Sequence, residues 1–237
     1  MVEIIDIVRS LVNMLREEIT ISNITALPQP HRYTFEVNEI PQLLTKGQTL
    51  SIGNYTCEVL EINTLTLTVL ATGNITGEII ATLKSPYLLI GYWAEIANEI
   101  SQFGKSKTLS NQKFPLIAFN GIDITKESKS HYDGVLPLTF YIIAESEPNL
   151  TTENRFDTTF KEMLNPIYNA LIEAVEKSYY FEAKDKSLGY KIEINNLPYL
   201  GSLGKNQNQI NEVVDAVEVK ITGLNIRKCL TMVETYE

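Results

Sequence analysis

The chain is poor in the side chains that most often carry chemistry. Its only cysteines are Cys57 and Cys229, and its only histidines are His31 and His131. Two thiols so far apart argue against a disulfide framework and read as buried groups in a reducing compartment. Basic residues are also in deficit, with 20 Lys plus Arg against 29 Asp plus Glu and a formal charge of −9. Gripping nucleic acid needs a clustered basic face, so this balance argues against it. No apolar run approaches the ~18 residues of a membrane span, and no membrane association is expected. The first segment, "MVEIIDIVRSLVNMLREE", is broken by Glu3, Asp6 and Arg9 and reads as neither signal peptide nor anchor. Without a secretion signal, the Asn-x-Thr sequons at Asn23, Asn54, Asn74 and Asn149 read as accidents of an Asn- and Thr-rich chain.

What is present is an ordinary globular composition, 44% hydrophobic and 21% charged over 237 residues. That is enough for one large domain, or a domain with a smaller companion. The chain opens with an amphipathic helix: Ile4, Val8, Leu11, Val12 and Leu15 recur at helical spacing, with Arg9, Asn13, Arg16 and Glu17 on the other side. Residues 19–83 change character. "ITISNITAL", "RYTFEV", "QTLSIG", "YTCEVLEI", "TLTLTVLA" and "GEIIATL" are short and rich in Thr, Val and Ile, with Pro, Gly and Asn between them. They predict a compact antiparallel sheet or small barrel inserted after the first helix.

Beyond the insertion, Ser85-Pro86 reads as a helix start, Ser as the cap and Pro in the first turn. Leu89, Tyr92, Trp93, Ile96, Ile100 and Phe103 form its stripe and Gly104 its stop. "FPLIAF" has the continuous apolar character of a strand covered on both faces, and "VLPLTFYIIAE" is the longest strand candidate. Residues 151–178 carry Phe156, Phe160, Met163, Ile167, Leu171, Ala174 and Val175 on one helical face. Pro166, in the middle, predicts a kink or two helices meeting at Asn165-Pro166. "GYKIEINNL" is a further strand. In "VVDAVEVKITGLNI", Val217, Val219 and Ile221 alternate with Glu218, Lys220 and Thr222, and Gly223 marks a bulge or bend.

Candidate chemistry is thin. Glu145 and Glu147 end a strand just before a helix, a place where α/β proteins keep metals or general bases. Thr151, Thr152 and Glu153, however, read as a helix cap with an acid in the first turn. The stretch is therefore expected to be a joint. His131 in "SHYDG" reads as a surface turn. "GSLGKN", 201–206, lacks phosphate-loop spacing, and Asn206 stands where a Ser or Thr would bind magnesium. The stripe through Tyr92, Trp93 and Phe103 reads as core. No catalytic, cofactor-binding or metal-binding residue is predicted, and no enzyme.

From residue 86 onward the order of elements resembles the tail-terminator, or tail-completion, proteins of tailed bacteriophages. The similar features are the strand at "PLIA", the strand entering "TTENRF", the "F…L.PIY..L" helix, and a last strand preceded by "N.IN..VDAVEV". The resemblance implies an α+β subunit, a mixed or antiparallel sheet flanked by helices. Residues 1–18 and 84–230 would form it, with 231–237 as a tail; the β-rich, barrel-like domain 19–83 inserted between them is a departure from the compact family form. It further implies a ring, usually of six subunits, in the virion at the head–tail junction, after assembly in the host cytoplasm. Its partners would be copies of itself, the tail-tube protein and head-completion or neck proteins. DNA would pass through the lumen without specific binding. Six copies of −9 would make that ring strongly acidic, repelling phosphates. The strand ending at Glu145 and the loops 120–133 and 199–212 are the expected contact segments. The other reading is a non-enzymatic adaptor whose 19–83 domain binds a protein or glycan.

Overall fold

The computed structural model describes residues 4–40, 43–44, 48–77, 80–83, 85–103, 113–120, 135–147, 149–183, 189–198, 200 and 214–226. Helix α1 (Ile4–Asn13) buries Ile4, Ile7, Val8, Leu11 and Val12, the apolar stripe of its sequence. The chain then enters six strands, β1 (Glu17–Ala26), β2 (Arg32–Val37), β3 (Thr49–Ile52), β4 (Tyr55–Asn63), β5 (Thr66–Ala71) and β6 (Ile80–Leu83). All pair antiparallel and close into a barrel in the order β1-β2-β5-β4-β3-β6. Alternation explains the interior: Phe35, Leu50, Ile52, Val59, Leu67 and Val69 point inward and are buried. Closure leaves the barrel without an unpaired edge.

The second half is an open mixed sheet. Its strands are β7 (Tyr87–Gly91), β8 (Leu116–Asn120), β9 (Val135–Glu145), β10 (Phe181–Ala183), β11 (Lys191–Leu197) and β12 (Val214–Ile226). β12 pairs with β9 along one side; along the other it pairs first with β11 and then with β10. The order therefore runs β10 and β11, then β12, β9, β8, β7. Among the described residues only β7 and β8 are parallel, joined through helix α2 (Trp93–Phe103). Parallel neighbours need such a crossover, since a tight turn cannot reverse the chain twice. The protein is an α+β fold with an inserted closed barrel.

Helices cover both faces of the sheet. On one face lie α1 and a long helical run made of α3 (Thr152–Arg155), a π-helical segment (Phe156–Leu164) and α4 (Asn165–Lys177). Phe119, Phe140, Ile142, Val217 and Val219 meet it, and their cluster runs on without interruption into the barrel core. On the other face α2 packs Ile96, Ala97 and Ile100 onto Leu116, Ala118, Ile143 and Ala216. Double coverage is why β8 reads as one apolar run.

Several expectations are corrected. Ser85-Pro86 does not start a helix: residues 87–91 form β7, and Leu89 is a strand residue. The run "YLLIG" is apolar in unbroken sequence, a pattern shared by buried strands and buried helices. β12, at 13 residues, is longer than β9 at 11. Tyr92 leaves the expected stripe and is 62% exposed, and Phe156 is also exposed, stacked on Phe160. At Asn165-Pro166 two helical segments do meet, through a change of hydrogen-bond register: the Asn165 N–H donates to the Phe160 carbonyl, five residues back. Pro166 then falls in the first turn of α4, where its lack of an N–H is harmless.

Gly223 sits where β12 passes from β11 to β10, at a register shift in its pairing with β9. Its φ is +85°, and a Cβ there would lie 3.6 Å from the Gly189 carbonyl oxygen. Gly223→Ala is expected to destabilise the fold by about 1–2 kcal/mol, because L-residues are disfavoured at positive φ. Urea unfolding of the variant measures this; unchanged stability would mean the bulge relaxes freely.

Candidate functional site

The joint that carries Glu145 and Glu147 is built around a residue that sequence reading did not single out. β9 ends at Glu145, and Thr151 caps α3 by accepting the Asn154 N–H on its hydroxyl. One turn on, Arg155 points inward and is fully buried. Its Nη1 donates to both oxygens of the equally buried Asp215, at 2.9 and 2.7 Å, and also to the Ser146 hydroxyl. Nη2 donates to the Glu147 carbonyl at 3.0 Å. One guanidinium thus ties α3 to the end of β9 and the start of β12. Glu145 and Glu147 themselves face solvent. The stretch is a structural clamp. The missed signal was Asp215 in "VVDAVEV", an acid on the same strand face as Val217 and Val219.

A second polar cluster lies on the α2 face of the sheet, at the border of the area that α2 covers. Glu218 accepts from the Tyr141 hydroxyl at 2.7 Å, from Asn195 Nδ2 at 2.9 Å and from Lys220 Nζ at 3.2 Å. The Tyr141 ring packs 4.8 Å from Trp93. Burial pushes the Glu218 carboxyl up, but hydrogen bonds from Asn195, Tyr141 and Lys220 outweigh it and hold the group below the usual value. Burial, reinforced by Glu218 as acceptor, raises Tyr141 well above the ordinary phenol against a hydrogen bond with Asn120. An ionised carboxylate saturated by three donors and a tightly held phenol make a cross-strand clamp over β9, β12 and β11.

The third feature is an open cleft of about 1300 Å³ between the two halves of the fold. α1 supplies Arg9, Val12, Asn13 and Arg16; the barrel supplies Ser51, Gly53, Ile80 and Thr82; β7 supplies Tyr87, Leu88, Leu89 and Ile90. Glu99 of α2 stands at the other side. The floor is therefore a strand edge.

Other singled-out residues are scattered. His31 is an exposed turn residue with φ of 60°. Cys57 is a buried free thiol inside the barrel. Phe103 meets Tyr87 and Phe114 edge-on, at 5.8 and 6.4 Å. His131, Cys229, "GSLGKN", and the loops 120–133 and 199–212 apart from Asn120 and Leu200 lie outside the described residues. Among the described residues no three His, Cys, Asp or Glu side chains converge as metal ligands, and no helix is long and apolar enough to cross a membrane. No family model, curated protein or solved structure matches the chain.

Arg155→Ala should destabilise the protein by about 3–5 kcal/mol, because it leaves Asp215 buried without its partner. The double variant R155M/D215L, which removes both charges, should recover much of that loss in urea denaturation. A double variant less stable than the single one would reject this account of the clamp.

Alkaline pH should also weaken the fold. Burial pushes the Cys57 thiol from 9.0 up to about 11. Burial, then the Glu176 carboxylate that accepts its hydroxyl at 2.7 Å, pushes Tyr190 from 10.0 up to about 12. Both groups hold their protons more tightly when folded, so their contribution is complete below pH 9 and is lost as pH rises through 11 to 12. Urea midpoints between pH 8 and 11 should fall, and Tyr190→Phe should flatten the upper part of that decline.

Proposed function

We propose that the protein is a ring-forming structural subunit of a tailed-bacteriophage virion, a tail terminator that caps the tail tube and joins it to the neck. One observation carries this reading: the mixed sheet ends in two unlike edges, β7 at one end and β11 with β10 at the other, and among the described residues none of them has a further strand beside it. Unlike edges at opposite ends of one sheet favour head-to-tail association, and a head-to-tail contact closes into a ring when the rotation between copies divides a full turn. The element order from residue 86 onward, which resembles tail-completion proteins, supports the same reading.

The polar clusters fit a scaffold. Both clamps consume their charges internally, fixing strand to strand and helix to sheet. The acidic balance of the chain, −9 per copy, suits a passage that DNA traverses without being held. Copies of itself, the tail-tube protein and neck proteins are the partners this role requires.

Negative-stain microscopy and analytical ultracentrifugation of the full chain, alone and with purified tail tubes, test the reading. A closed ring, at the head-proximal end of tubes when they are present, is the expected result. A chain that stays monomeric in both conditions, or gold labelling of virions that avoids the neck, would overturn it.

A further inference from the structure

We infer that the subunits are joined by strand addition: β11 of one copy enters the cleft of the next and pairs antiparallel with β7. The inference rests on the ring reading above and names the contact that makes the ring.

The cleft is shaped for a strand. Tyr87, Leu88, Leu89 and Ile90 all line it, yet successive strand residues point to opposite faces. Four consecutive lining residues mean that the cleft opens onto the edge of β7, where its outward N–H and C=O groups lie. Such an edge is a template for another chain. α1 and the barrel line the cleft beside it.

β11 has the complementary character. Among the described residues it lies, with β10, on the outer side of β12, and its residues are mostly exposed, Ile194 at 43%. Isoleucine on an open edge is a liability that pairing removes. Its seven residues span about 23 Å, enough to cover the five of β7.

Direction and face agree as well. β7 is parallel to β8, and each step from β8 through β9 and β12 to β11 is antiparallel, so β11 runs opposite to β7. A rotation axis lying roughly along the strands preserves both strand direction and the inward face. The next copy's β11 then meets β7 antiparallel, the more stable pairing. Leu88 and Ile90 share the α1 face with Ile117 and Phe119, and Ile192 and Ile194 share that same face through Ile221 and Val219. Setting Ile194 opposite Leu88 and Ile192 opposite Ile90 continues one apolar row across the junction. The same register puts Lys191 opposite Gly91, on the α2 face. There a Cβ on Gly91 would lie 2.7 Å from the Glu95 carboxylate, so the glycine leaves an acid exposed beside the incoming ammonium.

The test uses full-length chains in the presence of tail tubes. Mixed I90C and I194C variants should give a bismaleimide-linked dimer that neither variant gives alone. Lys191→Glu and Glu95→Lys should each weaken ring assembly by tenfold or more, and the double variant K191E/E95K should restore most of it. Restoration excludes simple misfolding as the cause. Rings that assemble normally in both single charge variants and give no mixed cross-link would overturn this contact and leave the ring reading standing. A dimer from I194C alone would assign β11 to a two-fold contact and overturn it too. A wild-type chain that never leaves the monomer overturns both readings.

Discussion

The arrangement of the second half of the fold depends on the ion pair between Arg155 and Asp215. Both side chains are completely withdrawn from water, which is expensive unless every donor and acceptor is answered. Much of that cost is offset: Asp215, Ser146 and the Glu147 carbonyl take protons from the two terminal nitrogens of the guanidinium. A pair of this kind adds little net stability compared with apolar residues, but it tolerates few geometries. It fixes where the helical run begins relative to the ends of β9 and β12. The following residues then bring Phe160, Leu164, Ile167 and Leu171 onto the sheet in turn. The change from π to α register at Asn165 occurs within this anchored run.

The two faces of the sheet divide their tasks. On the α1 and α4 face the side chains from β8 to β12, Asp215 apart, are apolar and merge with the barrel core. On the other face α2 covers only part of the width, over β7, β8 and the near ends of β9 and β12. Where its cover stops, Tyr141, Glu218, Asn195 and Lys220 take over, linking three strands by side-chain hydrogen bonds at a border with solvent. Hydrogen bonding to a charged group is the stronger kind, so this border is held where apolar packing runs out.

Much of this plan could be read from the residues, for stated physical reasons. The six barrel strands were visible because Thr, Val and Ile alternate between turn residues, and an antiparallel barrel keeps a period of two along most of each strand, broken only at shifts such as those after Ser22 and Val59. Pro166 announced a change in the helix because it has no N–H to give, though the proline rule could not say that the change would be one of register. The strand β7 was hidden because "YLLIG" has no periodicity, and Ser-Pro before it imitates a helix start. The Arg155–Asp215 clamp was hidden for another reason. An arginine in "TTENRF" looks like an exposed first-turn residue, and only the fold shows that its partner waits sixty positions later. The cleft is a property of how α1, the barrel and β7 come together, and no single segment encodes it.

The barrel leaves and rejoins the rest of the chain at one place. Its first and last strands are neighbours, with Glu17 opposite Leu83. A pull along the backbone from α1 towards β7 is therefore taken up by the short β1–β6 ladder, loaded as a clasp at its root. The remaining strands of the barrel sit outside the line of force, like a pendant on a chain.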